Sequence, residues 1–399
     1  MNKPKVIITS MPRYAYFQWF LLGFYELERM GIIALNIRHS LYEHMVFLFN
    51  SRLICGGLLR ILKKWRINNR YVFKDSYNLT GYYIENGEKK RFVIDSADAP
   101  FLFSSKELER CSVYFKMQCP LDLDSQGFQL NKDVLIPWTD HEHKDKTLLL
   151  QDEGERRPCD SFEKNKRKIR PLMIGVRLLA RGCSYRALSK AYDSLLDSRG
   201  VKKDKKLMCY FGNSSGPKIP KAVRELDYDS EMCLMGCFHD KMDHPNEKRS
   251  IAAKIIKDMG DGYDARVINE GNSDSGKHSN TDQIIPLAKF SYHVARFQYN
   301  LNISGYRLSI PNRFIDSFVS GTAIVTDKLS VRWYKPFGKS VFETVEMGYL
   351  KNTDVNWQKF RNDLNELPEI SSQQVIDDYE EKWTPVQVAK YIIEELKNA

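Results

Sequence analysis

Apolar positions along the chain fall into two periods. Phe17, Phe20, Leu21, Phe24 and Leu27 recur at three- and four-residue spacing, which predicts a helix over Tyr16–Met30 stopped by Gly31. Short apolar runs on either side, Lys5–Ser10 and Ile32–Ile37, predict strands and hence a β-α-β opening. Gly81–Ile84 and Arg91–Ile94 flank the turn Glu85-Asn-Gly-Glu88, whose Asn-Gly pair predicts a type I′ hairpin. Ser105–Arg110 reads as a short helix and Val113–Met117 as a further strand. Leu41–Trp65 predicts a long helix interrupted at Gly56-Gly57, ending in the basic run Arg60–Arg66.

The second half repeats the alternation. Pro171–Ser198 predicts a helix, and Leu207–Phe211 the first strand of a new sheet. Asn300–Asp327 then reads as strand, glycine-bearing loop, helix, glycine stop and strand. Pro311 ends the loop, and Asn312 is expected to cap the helix by accepting a bond from an orphan N–H. Phe314, Ile315, Phe318 and Val319 share one face, and Gly321 stands where a left-handed residue closes a helix. Thr384–Leu396 predicts a closing amphipathic helix.

Composition narrows the class. With 399 residues, 42% of them hydrophobic and 28% charged, the chain is globular and long enough for two cores. A net charge of +10 points to an anionic partner. No zinc finger, RNA-recognition signature or basic zipper concentrates that charge, so nucleic acid is not expected as a partner. Seven basic residues in Arg156–Arg170 and four lysines in Lys202–Lys206 read as solvated connections. The eight cysteines are scattered as reduced thiols would be. No run reaches the roughly 18–20 apolar residues of a spanning helix, and the N-terminus lacks a small-residue cleavage site. These features predict a cytoplasmic protein, with Leu41–Arg66 either packed on the sheet with a solvated basic end or resting on an anionic inner-membrane face.

Candidate chemistry gathers at strand ends. No Gly-x-Gly-x-x-Gly follows the first strand, which argues against a nicotinamide dehydrogenase. Asp95 and Asp98 follow the hairpin, where a carboxylate can serve as a general base or cap a turn, and His39 follows the second strand as a further candidate base or a packed or solvated residue. Gly212-Asn213 opens a small-residue loop that can bring backbone N–H groups close to an anion. Arg307 and Arg313 bracket the start of the helix beginning near Asn312, and Asp316 lies three residues on, on the same helical side as Arg313. Cys233-x-x-x-Cys237-x-His239 with His244 fits none of the common zinc spacings. Asp122-Leu-Asp124 sits in a Pro- and Gly-flanked loop, so no metal site is expected.

Three pieces of the chain resemble, in order, the C-terminal half of exostosin-like glycosyltransferases: Leu207-Met-Cys-Tyr-Phe-Gly212-Asn213, Lys289-Phe290 through Gly321-Thr-Ala-Ile-Val325, and Lys335-Pro-Phe337 through Val341-Phe342. Where that family more often has glutamate in its Arg-x-x-acid helix, this chain has Arg313-x-x-Asp316. The resemblance implies a GT-B-like α/β architecture, two Rossmann-like domains facing a cleft. Residues 1–170 would form the acceptor side, 171–206 the connection, 207–380 the nucleotide-sugar side and 381–399 a C-terminal helix. It implies sugar transfer from a nucleotide-sugar to a hydroxyl of a glycan or lipid-linked acceptor in surface polysaccharide synthesis. Gly212, Asn213, Arg307, Asn312, Arg313 and Asp316 would hold the donor, with no cofactor or metal. The alternative is a catalytically silent Rossmann-like protein that binds an anionic partner.

Overall fold

The computed structural model describes residues 3–11, 14–38, 78–96, 105–121, 164–179, 183–211, 245–267, 285, 287–304, 309–347, 350 and 352–399. Among the described residues the fold is α/β, built on a six-stranded sheet, a five-stranded sheet and a two-stranded ribbon.

The first sheet begins with β1 (Lys5–Ser10), crosses through α1 (Tyr14–Arg29) and returns as β2 (Ala34–Ile37), parallel to β1. Phe17, Phe20, Leu21, Phe24 and Leu27 are all fully buried, as their spacing predicts. The helix closes where glycine was expected. Gly31 takes φ +74°, Ile32 N–H donates to Leu27 O and Gly31 N–H to Glu28 O, the Schellman pattern. β3 (Asn78–Glu85) and β4 (Glu88–Asp95) form the hairpin, turned through Asn86 (φ 51°) and Gly87 (φ 86°), both left-handed as a type I′ turn requires. After α2 (Ser105–Arg110) come β5 (Val113–Lys116), the two-residue β6 (Cys119–Pro120) and β7 (Ile169–Pro171). The strand order is β2-β1-β3-β4-β5-β7, with only β3 running against the rest.

One expectation is corrected here. The helix read over Pro171–Ser198 forms only as α3 (Tyr185–Leu196). Ile169–Pro171 instead adds an edge strand, and Leu172, Met173 and Ile174 continue from it buried but not helical. Pro171 lacks the N–H a helix interior or a central strand needs, and a sheet edge tolerates that loss. The basic run before it is therefore tied down in part: Lys168 donates to the carbonyls of Leu108 and Glu109, and Arg170 pairs with Glu395.

The second sheet is wholly parallel. β8 (Lys205–Phe211), α4 (Pro245–Lys257), β9 (Tyr263–Val267), α5 (Leu287–Val294), β10 (Phe297–Asn302), α6 (Arg313–Val319), β11 (Ala323–Thr326), β12 (Val331–Arg332) and β13 (Val341–Glu343) follow in sequence. Four consecutive parallel pairings give the order β13-β11-β10-β8-β9. Residues 207–211 are buried on both faces, alternating between two apolar clusters: Leu207, Cys209 and Phe211 in one, Met208 and Tyr210 in the other. Gly321 (φ +68°) ends α6 by the same Schellman bonds, Thr322 N–H to Ser317 O and Gly321 N–H to Phe318 O.

Three helices close the chain: α7 (Trp357–Asn365), α8 (Ser372–Lys382) and α9 (Pro385–Asn398). Ser371 and Gln374 make a reciprocal capping box at α8, and Thr384 caps α9 with Pro385 in its first turn. These helices fasten the two sheets together. α9 lies against α1, where Gly23 leaves no room for a side chain: a Cβ there would stand 2.0 Å from Pro385 O. Trp19 Nε1–H donates to Trp383 O, and the Trp383 ring stacks on Phe318 of α6 at an interplanar angle of 11°.

Candidate functional site

The order of the second sheet dictates where a ligand would bind. Numbered in chain order, its strands run 2-1-3-4-5, so the connections leave in opposite directions at the β8/β10 boundary. Open α/β sheets bind ligands at the carboxyl ends of the strands flanking such a reversal. Here those ends are Phe211 and Asn302.

Several charged side chains converge at that edge. α6 starts with Arg313, whose Nε donates to the Oδ1 of buried Asn302 at 3.3 Å. A second asparagine on β10, Asn300, donates to Ser317 Oγ at 2.8 Å, and that hydroxyl donates to Arg313 O at 2.7 Å. The asparagines thus set both the side chain and the backbone of the Arg313 turn. From α4, Arg249 reaches the same edge. Its Nη2 donates to Ile303 O (3.2 Å) and Ser304 O (3.4 Å), and its guanidinium carbon lies 5.6 Å from the Phe211 ring centroid. Neighbouring Lys248 is buried, with Nζ on Met347 O at 2.5 Å. Asp327 follows β11; its Oδ1 accepts from Ser304 N–H (2.8 Å) and Ser304 Oγ (3.0 Å), while its buried Oδ2 has no hydrogen-bond partner among the described residues.

The electrostatics are those of a charge cluster withdrawn from water. Burial pushes the Asp316 carboxyl up to about 7, with the Arg313 charge opposing, and Asp327 up to about 6, with its bonds to Ser304 opposing. Burial, then the charge of Arg249, brings Arg313 down to about 10, while Asp316 draws it back up. Arg313 and Asp316 nonetheless keep some accessible surface. Two arginines and a lysine beside two carboxyls that ionise reluctantly make a site whose net charge becomes more positive on acidification.

That arrangement carries a pH dependence with a definite sign. Both acids have folded values above the ordinary carboxylate range, so their contribution to stability is complete below about pH 4 and is lost as pH rises through about 7. In urea titrations between pH 4.5 and 8, Asp316→Asn is expected to flatten this fall by about 2 kcal/mol, discounted for the surface that Asp316 retains. An unchanged slope would show that Asp316 is not the titrating group.

The residues expected from sequence divide into three groups. Arg313 and Asp316 lie together at the carboxyl edge, one helical turn apart. Asn312 adjoins them without capping: it has helical φ, ψ (−54°, −27°) and makes no side-chain cap bond. The turn starts one residue earlier, with Phe314 N–H on Pro311 O and Ile315 N–H on Asn312 O, which puts Asn312 inside the helical path and corrects the N-cap expectation. At seven residues α6 is also too short for its dipole to do much, so any anion affinity rests on the guanidinium groups. Asp95 lies in the other sheet. It sits opposite Lys116 in the β4–β5 register and is almost fully buried, its Oδ2 accepting from Lys116 Nζ at 2.9 Å and Tyr114 OH at 2.8 Å. His39, Asp98, Gly212, Asn213 and Arg307 lie outside the described residues, as do Leu41–Trp65, the Asp122-Leu-Asp124 loop and the Cys233, Cys237, His239, His244 group.

Sequence reasoning missed Arg249, Lys248 and the site placement of Asp327. The one available signal was position: Lys248 and Arg249 are the fourth and fifth residues of the crossover helix after the first strand of a parallel sheet, whose N-terminal end borders the ligand edge. Among the described residues no group of His, Cys, Asp and Glu side chains could hold a metal ion, and no helix is long and apolar enough to cross a membrane.

No family model matches the chain, and no curated protein matches it. A solved structure, that of Anabaena Alr3699/HepE in complex with UDP and glucose, is similar over 98% of both chains at 9% sequence identity, with a TM-score of 0.32.

Proposed function

We propose that the chain is a glycosyltransferase that moves a sugar from a nucleotide-sugar to a hydroxyl of a glycan or lipid-linked acceptor, in the synthesis of a surface polysaccharide. One observation carries the reading: Arg249 and Arg313 approach the β8/β10 reversal from two different helices, with Asp316 one helical turn beyond Arg313. Two guanidinium charges oppose the negative charge that develops on a diphosphate leaving group, and charge-assisted bonds in a low-dielectric edge are the strong ones. Asp316 supplies an acceptor for a ribose hydroxyl. Gly212 and Asn213 directly follow β8 in the sequence, and Arg307 lies between β10 and α6; in this reading they complete the donor site. The resemblance of Leu207–Phe342 to exostosin-like glycosyltransferases supports the same assignment.

The acceptor would approach from the first sheet. Asp95 is engaged by Lys116 and Tyr114, so it would hold the strand end in shape. Asp98, three residues on, and His39, two residues after β2, are the bases this reading retains. With both arginines on the diphosphate, the reaction needs no metal in this proposal. The net charge of +10 and the basic Arg60–Arg66 run would favour an anionic membrane face where lipid-linked acceptors reside.

The test is calorimetric titration of the protein with UDP, GDP and CDP, followed by product analysis with the sugar nucleotides of whichever base binds. Saturable binding of one diphosphate and transfer to an added hydroxyl acceptor is the expected result. Binding with epimerised but untransferred sugar would reassign the reaction, and no binding by any of the three would leave the silent binding protein.

A further inference from the structure

Four consecutive residues of the first unit, the part of the chain built on the six-stranded sheet, are fastened to both loops that carry the site, which belong to the unit built on the five-stranded sheet. Gln118, between β5 and β6, is 1% exposed. Its Nε2 donates to Ile310 O and its Oε1 accepts from Ile310 N–H, each at 3.0 Å, across 192 residues of sequence. One side-chain amide thus supplies both partners that a neighbouring strand would give Ile310. Cys119 and Pro120 pair antiparallel with Arg332 and Val331, and Leu121 N–H donates to Ser330 O. Ile310 lies three residues before Arg313, and Ser330 three residues after Asp327.

We infer that Gln118 is a positioning residue through which the first unit sets the entry to α6, and with it the placement of Arg313 at the anion site; the ligand side of this inference rests on the function proposed above. Ile310 is itself fully buried, so its N–H and C=O have no water to fall back on. Beyond the packing of its side chain in the core, Ile310 has Gln118 as the single hydrogen-bond anchor of its backbone among the described residues. A shift of the first unit relative to the second therefore acts on the Arg313 turn directly. A charge held 1 Å from its productive position loses much of its effect on a phosphate, which is how an anchor this far from the ligand can govern affinity.

The experiment compares the parent with Gln118→Ala and Gln118→Glu by amide hydrogen exchange over residues 309–316 and by titration with the nucleoside diphosphate the parent binds. Gln118→Glu keeps an acceptor for Ile310 N–H but sets an oxygen against Ile310 O, and it serves if the alanine variant does not fold. Expected are roughly tenfold faster exchange confined to this segment and roughly tenfold weaker binding. In the Arg313→Ala background the same change should produce no additional loss of affinity, which a merely structural role would not reproduce. Unchanged exchange at Ile310 overturns the inference, and so does faster exchange with unchanged affinity. If the parent binds no nucleotide, the proposed function falls, and the exchange comparison by itself still decides whether Gln118 sets the α6 entry.

Discussion

Arg313→Ala is expected to weaken nucleoside diphosphate binding at least about a hundredfold while leaving the fold intact. The two halves of that statement have separate causes. Binding suffers because a guanidinium facing a phosphate in a withdrawn site contributes some 2–4 kcal/mol, and Arg249 alone would leave Asp316 and Asp327 partly uncompensated. Stability does not suffer comparably, because Arg313 is costly to keep. Burial and the charge of Arg249 both disfavour its ionised form, and removing it relieves that repulsion while Asn302 Oδ1 loses one long bond. The apolar face of α6, Phe314, Ile315, Phe318 and Val319, remains fully buried without it. Isothermal titration and urea unfolding on the same preparation check both parts. Parental affinity in the variant would remove Arg313 from the site, and a collapse of the unfolding transition would make it a structural residue.

The second large effect concerns the joint between the units. Gly23→Ala lies inside α1, where helix propensity alone predicts a gain of about 1 kcal/mol. Packing predicts the opposite and wins. The added Cβ would meet Pro385 O at 2.0 Å and Ala389 Cβ at 2.8 Å, both on α9, and neither is the end of a flexible chain. Relief requires α9 to move away from α1, disturbing the Trp19–Trp383 bond and the burial of Val388, Ile392 and Leu396. A net loss of about 3 kcal/mol of unfolding free energy is expected, read as a lower midpoint of denaturant unfolding at unchanged slope. An equal or higher midpoint would mean that α9 does not sit against α1 as described.

Much of the architecture was legible because it depends on neighbours in sequence. The buried stripe of α1 follows from spacing, since residues three and four apart share a helical face whatever lies opposite. Gly31 and Gly321 close their helices because a left-handed residue satisfies two orphan carbonyls at no steric cost, and Asn86-Gly87 turns the hairpin for the same kind of reason. Where local rules competed, they were less dependable. Asn312 is a good N-cap by type, yet Pro311 starts the turn one residue sooner. Pro171 fits the start of a helix by local pattern, yet its missing N–H equally suits the sheet edge it occupies.

The site was legible only in part. By itself the sequence determined the α/β alternation, the glycine stops, and the pairing of Arg313 with Asp316 on one helical side, all set by bonds and angles within a few residues. Only the tertiary structure decided that Asp95 stands opposite Lys116, that Arg249 crosses from α4 to the end of β10, and that Gln118 holds Ile310. Those contacts depend on strand order and on which loops meet. Strand order is settled by burying apolar faces across hundreds of residues, and a carboxylate at a strand end has the same local pattern whether its neighbour is a lysine or water.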